Sequence, residues 1–252
     1  MNIGAMGLLV GAGFLGGLAN AMAGGASLFT FPALLASGLS PVTANASNAF
    51  ALLPSNSIAA WVDREKLPAR TASNMVTFFC AMLGGIIGAT LLIYTPAKFF
   101  ELLIPALIGM ATLMFIFSKA LQRGLVQLLG VGEHRKLSAS LMFLSGIYGG
   151  YFGAGLGVVM MAVLGATTVW EMRMNNAFKN VLNVGANVAA NTLFISTGAI
   201  AWRETLIMIL GTALGGYLGG RLVKVLPAKW VRLGICWSGV VMTVIYIKRY
   251  WL

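Results

Sequence analysis

Apolar segments long enough to cross a bilayer, which takes about 20 residues, recur along the whole length of the chain. Hydrophobic residues make up 59% of the sequence and charged residues only 9%, whereas soluble domains contain about 25% charged residues. A membrane β-barrel would instead show short segments of alternating polarity. The sequence therefore predicts an all-α integral membrane protein that crosses the lipid bilayer several times.

The basic residues lie between the apolar segments and form no stripe shared with aromatic side chains. The net charge of +11 is what an excess of Lys and Arg on the cytoplasmic side of a membrane produces, so we predict no nucleic-acid partner. Cys80 and Cys236 each lie within an apolar segment, where cysteine is a small buried hydrophobe, and His134 is the only histidine. No metal-ligand spacing exists, and we predict neither a metal nor another cofactor.

Three short motifs occur twice, in the same order, in the two halves of the chain. The tripeptide Asn-Ala-Phe begins at Asn48 and again at Asn176, 128 positions later. Each copy precedes an apolar segment that ends in Trp, and a Leu-Gly-Gly motif follows at 83–88 and at 214–219. Such echoes indicate a duplication. Membrane proteins built from two repeats are usually transporters, whose substrate binds between the repeats near the bilayer midplane.

Each repeat begins with an apolar stretch that is too long for a single crossing. The first runs over 3–39 with an interruption at Gly24-Gly25, and the second runs over 137–169 with interruptions at Gly149-Gly150 and at 153–157. No Lys or Arg precedes the small residues near position 20, so we interpret the first stretch as part of the fold and not as a cleaved signal peptide.

Three plain helices follow each interrupted stretch. They are predicted at 42–61, 69–94 and 99–121 in the first half, and at 175–200, 204–225 and 230–248 in the second half. The chain is thus divided into a first transmembrane repeat at 1–121, a charged cytoplasmic linker at 122–136, and a second transmembrane repeat at 137–252.

The interrupted stretches have two interpretations, which give different topologies. One arrangement has eight spans and two parallel repeats. In the other, each stretch is a hairpin that enters and returns to the same side, so that each repeat crosses an odd number of times and the two repeats are inverted. The hairpin arrangement leaves four of the 17 basic residues outside, and the eight-span arrangement leaves seven outside. The cytoplasmic preference of basic residues favours two inverted repeats, each a broken, re-entrant hairpin plus three transmembrane helices, with both chain ends outside.

The strongest functional signal is a polar stripe along the predicted helix at 175–200. At 100° per residue, its five asparagines stay within about 60° of the first, and they are Asn176, Asn180, Asn183, Asn187 and Asn191. Lys179 lies at the edge of this face, and no carboxylate lies within one turn of it. A charge at bilayer depth costs about 2.5–3.5 kcal/mol, so an unpaired cation here predicts an anionic ligand. The alternatives are that the asparagines join helices and that Lys179 extends to the membrane surface.

The first half contains a neutral version of this stripe. Asn45 and Asn48 share a face that Asn56 continues, while Ala51 occupies the position that matches Lys179. Pro54 is expected to interrupt this helix and to free backbone groups for a ligand or water.

The glycine-rich interruptions are the second element of the predicted site. A helix that starts after such a break directs free N–H groups and the positive end of its dipole toward the cavity, which suits an oxyanion. We therefore predict binding by the backbone near Gly24, Gly25, Gly153 and Gly155. Close helix packing through small residues is the alternative, and it explains the Gly-Gly pairs at 84–85 and 215–216 better.

Two segments resemble the signatures of a known family. The run 149–157 (Gly-Gly-Tyr-Phe-Gly-Ala-Gly-Leu-Gly) followed by 175–183 (Asn-Asn-Ala-Phe-Lys-Asn-Val-Leu-Asn) resembles the second-repeat signature of the TauE/SafE family of sulfite exporters. The segment 23–32 resembles its first-repeat signature, although Ala26-Ser27 replaces part of the usual glycine-rich run. The resemblance covers nearly the whole chain. It implies a multi-pass carrier of small sulfur oxyanions or organosulfonates that needs no cofactor.

The residues and the resemblance together predict a transporter of the bacterial inner (cytoplasmic) membrane that exports sulfite or a short organosulfonate. Lys179 would neutralise the anion, and hydrogen bonds would come from the amides of Asn45, Asn48, Asn176, Asn180 and Asn183. The alternative is a channel or carrier for another small solute. An enzyme is not predicted, because the six acidic residues lie in loops or near helix ends and form no acid–base pair or metal triad. A homodimer is compatible with the sequence.

Overall fold

The computed structural model describes residues 3–130, 132–222 and 228–252, and the described part of the chain consists of helices and short connections. The first half contains α1 (Ile3–Ala23), α2 (Ser27–Ala36), α3 (Pro41–Val62), α4 (Ala72–Tyr94) and α5 (Ala97–Ile116), with one 3-10 turn at Arg64–Lys66. Then follow α6 (Ser118–Leu129), α7 (Arg135–Tyr151), α8 (Leu156–Thr167), α9 (Met172–Ser196), α10 (Trp202–Leu222) and α11 (Ala228–Tyr250). The prediction of an all-helical protein is confirmed for these residues.

Local sequence signals set several of the helix ends. Ser40 caps α3, because its hydroxyl oxygen accepts a hydrogen bond from the N–H of Thr43, and Pro41 at the first helical position lacks the N–H that would be left without a partner there. Thr71 caps α4 in the same way through the N–H of Asn74. Gly38 lies just after α2 with a φ of +95°, a conformation that glycine adopts without a steric penalty.

The six predicted plain helices are confirmed to within a few residues, except that the third ends at Ile116 and that the predicted end of the fifth at residue 225 lies outside the described residues. Two local predictions are wrong. The second interruption falls at 152–155, whereas Gly149 and Gly150 lie inside α7. Pro54 does not interrupt α3, which continues as one helix to Val62. Part of the predicted linker is helical, because α6 occupies 118–129 and packs against α8.

Each long apolar stretch folds back on itself as two helices. The N–H of His134, just before α7, donates a hydrogen bond to the carbonyl oxygen of Thr167, at the end of α8, over 3.0 Å. In the first half, Gly16 of α1 packs against Thr30 of α2. The hydrogen bond between His134 and Thr167 brings the two ends of the second stretch together, which is the geometry that the hairpin interpretation requires.

Glycines allow two pairs of helices to cross with their backbones in contact. In the pair α1–α10, a Cβ atom on Gly17 would overlap the carbonyl oxygen of Thr212, and one on Gly215 would overlap that of Phe14. In the pair α4–α7, a Cβ atom on Gly88 or Gly150 would overlap a carbonyl oxygen of the opposite helix. Each pair joins one helix from each half of the chain, so these crossings interlock the two halves.

The prediction that the Gly-Gly pairs serve close packing agrees with these contacts at Gly84, Gly85 and Gly215, each of which faces the backbone of another helix. At Gly216 the nearest neighbour of an added Cβ would be the Ser55 side chain at 3.9 Å. A Cβ atom at position 216 would therefore make only an ordinary van der Waals contact, and this glycine is not required for close helix packing.

Among the residues that the structure describes, three helices are long and apolar enough to cross a membrane by length and composition, namely Ile3–Ala21 within α1, α4 and α5. At the ends of α5 and α11, the Arg232 guanidinium donates to the carbonyl oxygen of Phe115 over 2.8 Å and to the hydroxyl of Ser118 over 2.8 Å. A cation beside the last carbonyls of a helix satisfies them and opposes the negative end of the helix dipole. The start of α11 is thereby held at the end of α5.

We predict that Gly88→Ala lowers the free energy of unfolding by about 1–3 kcal/mol, the usual cost of adding a methyl group to a closely packed site. Gly11→Ala is the matched control, because a Cβ atom at Gly11 meets no atom within 4 Å and alanine favours the helix by about 0.5–1 kcal/mol. Thermal unfolding in detergent would compare the two variants with wild type. Equal melting temperatures for both would show that the α4–α7 crossing tolerates a wider separation.

Candidate functional site

Lys179 lies in the first third of α9 and is bound to a neighbouring amide. Its Nζ donates a hydrogen bond to Oδ1 of Asn176 over 2.8 Å. Since an α-helix rises about 1.5 Å per residue, Lys179 is about 10 Å from the start of the helix at Met172. The side chain is partly buried. A cation is therefore held within an apolar bundle and not at the end of the helix.

Asp63, which directly follows α3, completes this arrangement. Its Oδ2 accepts hydrogen bonds from Nδ2 of Asn176 over 3.0 Å and from Nδ2 of Asn180 over 3.1 Å. Its Oδ1 is 3.5 Å from Nζ of Lys66, whose side chain is 50% exposed compared with 19% for Asp63. We refer to Asp63, Asn176, Lys179 and Asn180 as the Lys179 cluster.

The expectation that Lys179 has no carboxylate nearby is therefore wrong. No carboxylate lies within a turn of it along the sequence, but Asp63 reaches the same amide from a position 113 residues before Asn176. Asn176 binds the cation through its oxygen and the carboxylate through its nitrogen. The cluster is an alternating chain of charges and amides, which is how a buried cation is stabilised when no direct ion pair forms.

The antiparallel arrangement of α3 and α9 explains why Asp63 belongs to the site. The end of α3 meets the start of α9 through Asp63 and Asn176, and near the start of α3 the Ser47 hydroxyl accepts from the N–H of Ala201 over 3.0 Å. The sequence signal that could have revealed Asp63 is its position two residues after Trp61. Trp61 ends the apolar segment that follows the first Asn-Ala-Phe copy.

The break between α7 and α8 lies next to Lys179. A Cβ atom on Gly157 would be 3.9 Å from Cδ of Lys179, so the lysine stem passes the first turn of α8. Gly153 and Gly155 adopt φ values of +77° and +79°, which only glycine accepts readily. The Tyr148 hydroxyl donates to the carbonyl oxygen of Ala154 over 2.6 Å and so holds the break in place. The positive end of the α8 dipole is thereby brought beside the lysine stem, while the N–H groups of Leu156 and Val158 donate to the carbonyl oxygens of Gly153 and Gly155.

Farther along α9, the stripe bonds to itself. Nδ2 of Asn187 donates to the backbone oxygen and to Oδ1 of Asn183 over 2.8 and 2.7 Å. Nδ2 of Asn191 donates to the backbone oxygen of Asn187 over 2.9 Å. Within the described part of the chain, Asn187 and Asn191 form no interhelical side-chain hydrogen bond, which the helix-joining alternative would require.

The predicted first-half residues have partners of their own. Asn48 bonds to the hydroxyls of Ser27 and Thr30 in α2, and Nδ2 of Asn45 donates to the carbonyl oxygen of Tyr151 at the end of α7 over 2.8 Å. Gly24 has a φ of +77°, and Gly25 packs against Ile235 of α11. Among the described residues, no hydrogen bond joins this group to the Lys179 cluster, so the structure divides the predicted site residues into two groups.

Two further polar contacts were not anticipated from the sequence. Asn175 accepts a hydrogen bond from the Thr168 hydroxyl over 2.8 Å and thus ties the end of α8 to the start of α9. Asn20 donates to the Ser55 hydroxyl and to Asn56 Oδ1 over 2.9 and 3.0 Å. Each contact joins residues of two different helices or of a helix and the connection beside it, and only their tertiary arrangement identifies them.

The chemistry available at the Lys179 cluster is electrostatic and hydrogen-bonding. No group of three His, Cys, Asp or Glu side chains that could hold a metal ion occurs among the described residues. The cluster contains one ammonium group, one carboxylate and two amides, beside the start of a helix. The ammonium group and the amide nitrogens are hydrogen-bond donors of the kind that anions accept from.

Comparison with known proteins identifies the family of the chain. The sequence profile of the family described as "Sulfite exporter TauE/SafE" matches residues 9–246. The chain is similar to a "Probable membrane transporter protein" of Haemophilus influenzae, with 27% identity over 84% of this chain and 82% of the relative. It is also 27% identical to the "Probable membrane transporter protein YfcA" of Escherichia coli K12, over 90% of this chain and 84% of the relative.

A third relative is the "Probable membrane transporter protein ORF9" of a Sinorhizobium species, which is 26% identical over 88% of this chain and 84% of its own length. No solved structure matches the chain. Because the family profile covers nearly the whole sequence, the recognition made from the two signatures is confirmed. The chain belongs to the TauE/SafE sulfite exporter family and is a membrane transporter.

Proposed function

We propose that this transporter exports a small sulfur-containing anion, sulfite or a short organosulfonate, across the bacterial cytoplasmic membrane, and that the anion binds at the Lys179 cluster. The observation that carries the proposal is the position of the Lys179 side chain, whose stem passes the first turn of α8 and whose ammonium group donates to Asn176. A desolvated cation and the positive end of a helix both favour an anion at the same point. The name of the matching family supports sulfite or a related anion as the substrate.

The Asp63 carboxylate competes with the substrate anion for the same hydrogen-bond donors. The nitrogen atoms of Asn176 and Asn180 already donate to its carboxylate, so an incoming anion has to take over these hydrogen bonds. Lys179 and the start of α8 then bind the anion on the side away from Asp63. We infer that the Asp63 carboxylate occupies part of the anion's place when no substrate is bound, and that substrate binding releases the end of α3.

Asn183 extends the proposed site toward the middle of α9. Its Oδ1 is engaged by Asn187, but its nitrogen is a further donor one turn beyond Asn180. An anion that leaves Lys179 toward the other side of the membrane would meet this amide next. The site then lies on the cytoplasmic side of the midplane, and the stripe forms the start of a path.

We further propose that the two halves are inverted repeats. The contacts α1–α10 and α7–α4 are equivalent under the duplication, as are the hairpins α1–α2 and α7–α8, while α3 pairs with α9 and α5 with α11. The antiparallel directions of α3 and α9 are those that an inversion requires. With the cytoplasmic excess of basic residues, this arrangement puts the start of α9 and Asp63 on the cytoplasmic side of a multi-pass protein.

Replacing Lys179 with methionine, which keeps the length of the side chain and removes its charge, should weaken sulfite binding by about tenfold to a hundredfold, as expected for the loss of a charge-assisted hydrogen bond. Binding would be measured as thermal stabilisation of the purified protein by sulfite, sulfoacetate, taurine, sulfate and chloride. Lys98→Met, at an exposed position near the start of α5, is the control and should bind like wild type. Undiminished stabilisation of the Lys179→Met protein would contradict the assignment of the site.

Asp63→Asn should raise the affinity for the same anion, by about tenfold if one competing charge-assisted bond is lost. Glu65→Gln is the matched control, since Glu65 lies two residues away with an 84% exposed side chain and should leave the affinity unchanged. The measurement is the dissociation constant of sulfite for both variants. A weaker affinity in Asp63→Asn would mean that the carboxylate supports the site instead of competing with its ligand.

Inverted repeats place the connections that follow α3 and α9 on opposite sides of the membrane. We predict that Glu65→Cys reacts with a membrane-impermeant maleimide only in inside-out vesicles, and Thr197→Cys only in intact cells. Both variants would be made in a chain with Cys80 and Cys236 replaced by Ser. Labelling of both positions from one side would support parallel repeats.

A further inference from the structure

Two buried amide oxygens outside the Lys179 cluster have no partner. The side chains of Asn45 and Asn191 are each 2% exposed, and Oδ1 of each accepts no hydrogen bond from the part of the protein that the structure describes. Their orientation is fixed, because each Nδ2 donates to a backbone oxygen: that of Tyr151 over 2.8 Å for Asn45, and that of Asn187 over 2.9 Å for Asn191. We refer to these two residues as the amide pair.

Both members of the amide pair lie at about the depth at which α7 ends. Asn45 is bonded to Tyr151, the last residue of that helix. The neighbouring Gly150 packs against Gly85 and Ala89 of α4, and Gly85 packs against the carbonyl group of Ala186 in α9. Since α4 and α9 run in the same direction, residue 190 of α9 is level with Ala89 and with the end of α7.

The surroundings of the amide pair are uncharged. The segments that contribute to it, 27–62, 137–170 and 180–202, contain no Lys, Arg, Asp or Glu. The nearest part of α7 is its C-terminal end, whose carbonyl groups carry the negative end of the helix dipole. The two unpartnered amide oxygens and the carbonyl groups at the end of α7 are hydrogen-bond acceptors, and acceptors in uncharged surroundings attract a cation and repel an anion.

We propose that the amide pair and the end of α7 bind a small monovalent cation of the Na⁺ type. Divalent cations are usually held by carboxylates, and none is present in these segments, whereas uncharged carbonyl oxygens replace the hydration shell of a monovalent ion. In transporters with interrupted helices, the C-terminal end of a half-helix coordinates the coupling cation and an N-terminal end faces the anionic substrate.

The break between α7 and α8 links this cation site to the Lys179 cluster. The break is four residues long and joins the negative end of α7 to the positive end of α8. Asn191 is twelve residues beyond Lys179, which is about 18 Å along α9, so direct repulsion between the cation and the ammonium group is weak. Binding of the cation at the end of α7 should therefore change the affinity of the Lys179 cluster for the anion. By thermodynamic reciprocity, the anion changes the affinity for the cation by the same factor. This coupling rests on the proposed anion site, but cation binding does not.

The first experiment measures cation binding without any substrate anion. Binding of radioactive sodium to the purified wild-type protein, and its melting temperature in sodium chloride, potassium chloride and choline chloride at equal ionic strength, would be determined. We expect saturable sodium binding and a higher melting temperature in sodium chloride than in choline chloride. Absence of both effects in wild type would overturn the proposal and would mean that water satisfies the two oxygens.

Variants locate the site. Asn191→Leu and Asn45→Leu each remove one of the unpartnered oxygens and should weaken sodium binding by about tenfold or more. Asn187→Leu is the matched control, because it lies one turn from Asn191 on the same stripe and its Oδ1 is not among the unpartnered atoms. It should keep wild-type sodium affinity. Equal loss in the control, or no loss in either test variant, would contradict the assignment to the amide pair.

The sulfite dissociation constant in sodium chloride and in choline chloride then tests the coupling. Tighter sulfite binding in sodium supports it, and equal affinity overturns the coupling while leaving the cation site intact. If sulfite does not bind in either salt but sodium still does, the proposed anion specificity fails and the cation site stands. The two failures are thus distinguishable.

Discussion

The structure depends on a constraint that a bilayer imposes on every backbone group. Within hydrocarbon, an N–H or carbonyl group without a partner costs several kcal/mol, so irregular backbone is tolerated only where protein or water surrounds it. The break at 152–155 therefore requires neighbours on all sides. The Phe152 ring packs against Phe31 of α2, and Gly155 faces Ala111 and Phe115 of α5, so helices of the first half cover the break.

Burial among the helices also explains why the charges of the Lys179 cluster are separated by an amide. A buried ammonium group is costly unless it is hydrogen-bonded and its charge is balanced, yet a direct ion pair with Asp63 would leave little for a substrate anion to gain. Asn176 lies between the two charges and bonds to both. An amide in this position moderates the attraction, and it can pass from one acceptor to another without leaving a buried donor unsatisfied.

The sequence predicted what depends on composition and local pattern. Apolar length and helical periodicity identified the six plain helices, and the stripe that contains Asn176 and Lys179 was visible because all its members lie on one helix. Asp63 was missed, since its role arises from the antiparallel packing of α3 on α9, which no local pattern specifies. Of the two interruptions predicted in the second stretch, the one at 153–157 overlaps the observed break. The other was predicted at Gly149-Gly150 because glycine disfavours helices, but Gly150 serves the close contact with α4. The same residue type has both uses, and only packing distinguishes them.

The two repeats share their helical framework but differ in their charged residues. Under the inverted arrangement that we propose, Asn48 corresponds to Asn176 and Ala51 to Lys179. The Lys179 cluster takes its cation from the second repeat and its carboxylate, Asp63, from the end of α3 in the first repeat. At the opposite end of the α3–α9 pair, Asn45 and Asn191 have amide oxygens without a partner among the described residues. Charged side chains confined to one end of this helix pair would give that end an affinity for anions. The uncharged end is left with oxygen atoms alone, so that ions of opposite sign would be accommodated at the two ends of one pair of helices.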